Sequence, residues 1–243
     1  RLVRRVAISL LLIRSPEPTR PPRTAPMPMR HEIVEGLRLV GHHPLVVPLA
    51  LRSVFAHFAG AFYSVLYTIY LIQNLQLSPF LLGIVISAGG VGSLVGSLFA
   101  SRAIARFGFG PTIIWTAIGA SIIGVLVPLA GGPIVLATLM VLLPQLVGDG
   151  LETIEDVAEL SLIQGVVSDQ ILGRVNATLG VLSHGIAYPI GALLAAAVAG
   201  WIGVRGGMAI GWAGMAISIA FLVRSPLPGL RQIADAGVAK TTP

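Results

Sequence analysis

The chain has 243 residues, of which 55% are hydrophobic and 11% are charged, and its net charge is +6. Soluble domains carry charge on about a quarter of their residues, so this composition excludes an ordinary soluble domain. The mean hydropathy of +0.88 instead indicates a protein that is surrounded by lipid. Cysteine is absent, which excludes disulfides and thiolate metal sites.

The first region, residues 1–44, is predicted to contain the end of a preceding helix, a linker and a surface helix. Six prolines fall in Ser15–Pro28, which indicates an extended cytoplasmic linker. His31–Val40 follows with apolar residues on one face, and we expect an amphipathic helix on the inner membrane surface. Because the chain begins with Arg1 rather than Met, we expect it to be a piece of a longer protein.

Residues 45–224 are predicted to form an all-α bundle of six transmembrane helices, because six apolar stretches approach the roughly 20 residues that cross a bilayer. The predicted spans are Val54–Ile72, Phe80–Ala100, Thr112–Leu129, Pro133–Leu151, Val175–Ala199 and Gly206–Val223. Residues 225–243 are predicted to be a cytoplasmic tail. Glycine, at 29 residues, exceeds its usual share of about 7%, as is typical of closely packed transmembrane helices.

The basic residues are distributed asymmetrically between alternate loops. QNLQLSP, AGGP and WIGVRGG, the three loops on one side, together hold only Arg205, whereas the other side holds nearly all the remaining Lys and Arg. Lys and Arg favour the cytoplasmic side of short loops. Both termini are therefore predicted to be cytoplasmic, in a multi-pass protein of the plasma or inner membrane. The positive charge needs no nucleic acid to explain it.

Small residues recur at helical spacing along the second predicted span, at Gly89, Ser93, Gly96 and Ala100. Such a stripe has no large side chains and lets a neighbouring helix approach closely. Two interpretations remain open: a tightly packed structural seam, or a seam along which helices slide during transport.

Arg102 and Arg106 end this span and open a short basic turn. If the seam moves, these arginines are candidates for a cytoplasmic gate in which they pair with acidic groups. Asp169, in the loop before the fifth predicted span, is one such group, and Glu159 is another. Arg174 completes the candidate gate on the same side of the membrane.

Carboxylates cluster at the end of the fourth predicted span. Asp149, Glu152, Asp156 and Glu159 share one arc of a helix, and Glu155 lies just beside it. A carboxylate at the bilayer centre costs about 2.5–3.5 kcal/mol on insertion scales, so this stripe must face a cavity, a partner or the cytoplasm. Either the helix leaves the membrane before the later acids, or the stripe is a pathway for protons or a cationic substrate, with Asp156 as the first candidate for a protonatable group.

The remaining polar groups near the spans are expected to be structural. Arg52, near the start of the first predicted span, is expected to reach the inner membrane surface rather than a substrate. His42 and His43 are expected at the membrane interface, and His57 and His184 are expected to be satisfied by partners inside the bundle. No histidine shows metal-ligand spacing, so neither a metal nor a cofactor is expected.

When the sequence is aligned with itself at an offset of 99 positions, one stretch of the chain matches another. The paired residues include Gly92 with Gly191, Leu94 with Leu193, Arg106 with Arg205 and Gly108 with Gly207. Three predicted spans separate the two copies, which therefore end on opposite faces of the membrane. This arrangement is typical of inverted three-plus-three repeats in transporters.

Three stretches of the chain share their pattern with a known family. The first is SPEPTRPP followed by HEIVEGLRLVGHHPLV, and the second is GSLFASRAIARFGFGP, in which a helix of small residues precedes R-x-x-x-R-F-G. The third is ETIEDVAELSLIQGVVSDQILGRVNATLG. On these stretches the whole chain resembles the C-terminal half of a major facilitator superfamily transporter, of the bacterial exporter type that includes siderophore and drug efflux proteins.

Each stretch corresponds to a different part of that family. The first resembles the central loop between the two halves, and the second resembles the C-half copy of the loop signature. The third resembles a segment that often reads N-x-x-Q-x-S-L-R-Q-x-x-x-P-D-x-L-x-G-R-V-N-A. The residues that match this segment are Ser161, Leu162, Gln164, Asp169, Leu172, Gly173, Arg174, Val175, Asn176 and Ala177. Ile163 replaces the usual Arg, and Ser168 replaces the usual Pro.

The resemblance implies a six-helix bundle with an inverted three-plus-three repeat. It also implies export of a small molecule by alternating access, commonly driven by protons, with an N-terminal six-helix half as the partner that completes the cavity.

Two other classes of function remain open. One is a membrane scaffold or degenerate half-transporter that does not transport. The other is a metal-dependent membrane enzyme that uses the acidic stripe to bind magnesium or manganese, although no second acid cluster or metal-spaced histidine supports it. We therefore expect a transporter and not an enzyme.

Overall fold

The computed structural model describes residues 36–38, 40–41 and 43–232, and within them the chain is helical with no β-strand. The helices are α1 (Val46–Ile69), α2 (Pro79–Phe107), α3 (Phe109–Gly124), α4 (Leu126–Leu129), α5 (Ile134–Leu143), α6 (Asp149–Val166), α7 (Asp169–Gly180) and α8 (Tyr188–Val223). Wider π-helical turns follow α1, α5 and α7, at Tyr70–Asn74, Pro144–Gly148 and Val181–Ala187. A short 3₁₀ turn, Leu227–Gly229, follows α8.

Five helical segments are long and apolar enough to cross a bilayer. They are Val46–Asn74, Pro79–Phe107, Phe109–Leu129, Ile134–Val166 and Gln170–Val223. The described residues are therefore all-helical, as predicted, and their long apolar helices are those expected of a multi-pass membrane protein. The count among the described residues is five rather than the six predicted, because the fifth and sixth predicted spans fall within one segment of 54 residues.

That last segment is interrupted inside α8. A straight helix of 54 residues would be about 80 Å long, more than twice the thickness of the hydrocarbon core. Gly203 has φ 81° and ψ 163°, a conformation outside the helical region that only glycine adopts easily. A Cβ placed on Gly207 would lie 3.7 Å from that of Ala199, whereas residues eight positions apart in a helix are about 12 Å apart. The chain therefore folds back at Gly203.

Both arms of this fold lie along α1. Before the turn, Gly191 meets the backbone of Phe58, and after it Gly211 meets the backbone of Ala59. On the other side of the bundle, α6 packs between α2 and α3. The two groups of helices are joined where the indole of Trp212 in α8 donates a 2.7 Å hydrogen bond to the carbonyl of Ser121 in α3.

Glycines mark the close helix crossings in both groups. A Cβ on Gly92 would clash with the carbonyl of Leu146, and one on Gly191 would clash with the carbonyl of Phe58. These two glycines are paired by the shift of 99 positions. The turns that follow them do not correspond under this shift. The first turn is at Gly108, with φ 88°, which pairs with Gly207, whereas the later turn is at Gly203. The stretch from Gly191 to its turn is thus about one helical turn shorter than the stretch from Gly92 to its turn.

Arg205, the one basic residue of the three loops QNLQLSP, AGGP and WIGVRGG, connects three segments. Its Nε and Nη2 each donate to the hydroxyl of Tyr70 at 3.1 Å, and Nη2 also donates to the carbonyl of Ala130. The Tyr70 hydroxyl donates to the same carbonyl at 2.8 Å. This network gives Arg205 a structural reason to occur on the side that has few cations.

The ends of the described chain pack against the bundle. Gly36 lies against Thr178 of α7, and Val40 is buried in the core. After α8, the carbonyl of Leu230 accepts the amide of Gly110 at 2.9 Å. The start of the predicted tail is therefore part of the core. Residues 1–35 and 233–243 lie outside the described residues, and with them most of the predicted linker, surface helix and tail.

Candidate functional site

A cavity of about 400 Å³ opens between α1, α3, α6 and α8. Its charged lining is unbalanced, because four carboxylates face one guanidinium. The four acids are Asp149, Glu152, Glu155 and Asp156 of α6, and the guanidinium is that of Arg52 in α1. His57 of α1 also lines the cavity, and Tyr63, Tyr188 and Trp212 supply aromatic surface.

Arg52 and Glu155 form an ion pair across the cavity. The Glu155 side chain is only 3% exposed and that of Arg52 is 18% exposed. A buried carboxylate needs such a partner, because removal of a charge from water costs several kcal/mol. The expectation that Arg52 reaches the inner membrane surface is therefore wrong. Glu155, placed beside the acidic arc by the helical spacing, is the most deeply buried of these acids.

Asp149 is held on the other flank of α6. The side-chain amide of Gln145 donates to both carboxylate oxygens, at 3.1 and 2.9 Å. A Cβ on Gly89 would collide with the same carboxylate, so the absence of a side chain there leaves room for Asp149. Gln145 lies in the π-helical turn Pro144–Gly148, and turns of this kind often occur at functional sites.

Glu152 and Asp156 are exposed residues that line the cavity. Glu159 is half-buried and is not among the lining residues. Three of the four acids predicted to form a proton or substrate pathway therefore come together in one cavity. The fourth acid lies further along the same helix.

Two histidines meet where α1 faces the π-helical turn Val181–Ala187. The rings of His57 and His184 are 4.2 Å apart between centroids. His57 Nδ1 lies 2.7 Å from the carbonyl of Ser53, which can only accept, so Nδ1 carries a proton. The hydroxyls of Ser53 and Ser183 lie 3.0 Å apart and join the same two segments. Two isolated histidines that are 127 positions apart in sequence give no local signal of this pairing.

The small-residue stripe lies where α2 meets α6 and the turn that precedes it. Gly89 and Gly96 are buried, and a Cβ on Gly96 would clash with the carbonyl of Gly150. Ser93 is only half-buried. Its neighbour Gly92 makes the close backbone contact instead, so the contact surface is rotated slightly from the predicted stripe.

The two arginines at the end of α2 make their described contacts within or next to their own helix. Arg102 donates to the carbonyl of Leu98 at 3.0 Å, within its own helix. Arg106 lies over the ring of Phe107, 5.6 Å from its centroid. Neither forms an ion pair with a described residue, so the expected pairing with Glu159 is absent. The side chain of Asp169 lies outside the described residues.

The last gate candidate, Arg174, lies on α7. Its carbonyl is next to Gly36, in the short helical stretch that precedes α1. Arg174 is half-buried, unlike the exposed Arg102 and Arg106.

Comparisons with models of protein families, with curated proteins and with solved structures give no match. Among the described residues, His, Asp and Glu form no group of three or more that could hold a metal ion. What the cavity can do is therefore inferred from its geometry and its charges.

Proposed function

We propose that this chain is a six-helix half of a transporter of the major facilitator type, and that a small molecule crosses the membrane through the acidic cavity. The observation that carries the proposal is a cavity of about 400 Å³, lined by five charged side chains, inside a bundle of apolar helices. Transporters typically bind substrates near the bilayer midplane, between internal repeats. The helices support this arrangement, since α1 packs with both arms of α8 as α6 packs with α2 and α3.

We infer six crossings with both termini in the cytoplasm. The support is the turn at Gly203, which makes two arms of α8, together with the basic residues on one side of the bundle. Cysteine placed at exposed Pro133 should react with an impermeant thiol reagent from outside, and cysteine at Arg106 only from inside. The chain has no cysteine of its own, so the labelling has no background. Labelling of Arg106→Cys from outside would contradict this topology.

The Arg52–Glu155 pair provides a physical basis for proton coupling. A proton on Glu155 would cancel its attraction for Arg52 and release the guanidinium within the cavity. Asp156 and Glu152 are open to the cavity and can exchange protons with water there. We propose that a second six-helix half closes the other wall, and that protonation changes which side of the membrane the cavity faces.

The charge of the cavity favours a cationic substrate. Four carboxylates against one guanidinium attract cations and raise their local concentration. Tyr63, Tyr188 and Trp212 add aromatic faces that bind organic cations, each worth about 0.5–2 kcal/mol. A cation with an aromatic ring matches both features. Transport rather than catalysis is proposed.

Flux into proteoliposomes that contain this chain together with the second six-helix half tests the proposal. N-methyl-4-phenylpyridinium and 4-phenylbenzoate have similar size and opposite charge, so they are matched probes. We expect protein-dependent flux of the cation that responds to an imposed pH gradient, and much slower flux of the anion. Asp156→Asn should retain the fold and weaken the response to the pH gradient. Cation flux equal to that of empty liposomes would contradict transport, and faster anion flux would contradict the cation preference.

A further inference from the structure

A second groove lies apart from the acidic cavity, between the start of α1 and the end of α8. Its volume is about 360 Å³. The two helix ends belong to the side of the bundle where the basic residues concentrate. One part of its lining is polar and contains a hydrogen-bond donor without a partner. The other part is apolar and is exposed.

The polar part contains an unpartnered hydrogen-bond donor. His43 lines the groove and is only 7% exposed. Its Nδ1 accepts the amide of Leu45 at 3.3 Å, so the proton of the neutral ring is on Nε2. Burial lowers the pKa of His43 and favours that neutral form. Nε2 is buried and has no hydrogen-bond partner among the described residues. A buried N–H of this kind calls for an acceptor.

A cation lines the same groove as this donor. Arg224, at the C-terminal end of α8, lines the same groove, is exposed and forms no ion pair with a described residue. A guanidinium and a neutral N–H together favour an anion with several oxygen acceptors, and phosphate oxygens suit both.

The apolar part identifies the kind of anion. Leu51 and Phe221 line the groove and are 49% and 36% exposed. Leu51 lies about two helical turns beyond His43 and Phe221 about one turn before Arg224, so both lie deeper in the bilayer than the polar groups. A free phosphate ion would leave this surface uncovered. A lipid would place its headgroup at the polar end and an acyl chain along the apolar end.

We propose that this groove binds an anionic phospholipid, whose phosphate is held by His43 Nε2 and Arg224 and whose acyl chain lies along Leu51 and Phe221. Basic pockets between transmembrane helices commonly select anionic headgroups. A lipid there would join the first and last helices of the bundle. The site is independent of the transport proposal, because it shares no residue with the acidic cavity.

Native mass spectrometry of the whole chain tests this site. The protein is equilibrated with equal amounts of dioleoyl phosphatidylglycerol and dioleoyl phosphatidylcholine, and the retained lipid is measured. We expect preferential retention of phosphatidylglycerol. Arg224→Gln should reduce that retention about fivefold, as expected for one cation near the membrane surface. Arg106→Gln removes an exposed cation outside the groove and should leave retention unchanged.

Two further variants separate the headgroup from the chain. Arg224→Lys keeps the charge and should retain most of the binding, and Phe221→Ser should weaken binding although both polar groups remain. Inorganic phosphate in excess should not displace the lipid. Equal retention by the original protein and Arg224→Gln, equal losses in Arg224→Gln and Arg106→Gln, or displacement by phosphate alone would each overturn the proposal.

Discussion

The two flanks of α6 are held in place by different forces. On one flank, Gly150 meets Gly92 and Gly96 of α2 with backbone against backbone and no side chain between them. On the other flank, Glu152, Glu155 and Asp156 face the acidic cavity. The first contact depends on shape and tolerates no added atom. The second depends on charge and tolerates a change of shape better than a change of charge. A helix with five acids can remain in an apolar bundle because the glycine contact holds it against α2 and because acidic side chains on its other flank face the cavity.

The largest effect is expected from Gly96→Leu, which tests the glycine flank. A Cβ at this position clashes with the carbonyl oxygen and the carbonyl carbon of Gly150. No rotamer of the side chain relieves a clash between its Cβ and the backbone. Overpacking in a close-packed core typically costs about 1–3 kcal/mol and sometimes more. We expect almost no monodisperse protein after solubilisation, as measured by size-exclusion chromatography.

Gly90→Leu is the matched control for that variant. Gly90 lies on the same helix, is exposed, and has nothing within 4 Å of a built Cβ. It should therefore give a normal yield. A normal yield for Gly96→Leu as well would show that the glycine contact does not hold the helices together.

The next largest effect is expected from Arg52→Gln, which tests the charged flank. This substitution leaves Glu155 buried without a partner, and breaking a buried pair in this way typically costs about 3–5 kcal/mol. We expect a clear fall in the melting temperature. Arg52→Gln combined with Glu155→Gln should recover most of that loss, since no uncompensated charge remains. Additive losses in the double variant would mean that the two side chains do not act on each other.

The sequence predicted the helices more accurately than the site. The predicted span Thr112–Leu129 lies within the structural segment Phe109–Leu129. The first segment begins at Val46, earlier than predicted, because Arg52 lowers the local hydropathy. The fourth continues to Val166 for the same reason, since its acids face a cavity that hydropathy does not detect. Where a charge has a buried partner, composition alone predicts a helix that is too short.

The site depended on contacts between distant parts of the chain. The helical spacing brought Asp149, Glu152 and Asp156 together on one face, and the cavity is lined by these residues. The same spacing placed Glu155 to one side, because a single helix does not reveal that Arg52 will pack opposite it. The turn at Gly203 falls within the predicted loop WIGVRGG, although a glycine-rich apolar stretch does not specify which glycine leaves the helix.

Cysteine labelling distinguishes two kinds of exposed surface. Asp156 of α6 and Ser97 of α2 are both exposed, but only Asp156 lines the cavity. Asp156→Cys should therefore react quickly with a charged thiol reagent in liposomes, whereas Ser97→Cys, which we expect to face lipid, should react slowly. Equal reaction rates would contradict the distinction between a water-accessible cavity beside α6 and a lipid-facing surface of α2.

Cation binding by the protein in nanodiscs tests the central claim most directly. The account predicts that N-methyl-4-phenylpyridinium binds more tightly than 4-phenylbenzoate. It also predicts that Glu152→Gln lowers the affinity for the cation about tenfold, or about 1.4 kcal/mol. Glu159→Gln, on the same helix but outside the cavity lining, should leave the affinity unchanged. Unchanged affinity in Glu152→Gln, or tighter binding of the anion, would contradict the assignment of this cavity as a cation site.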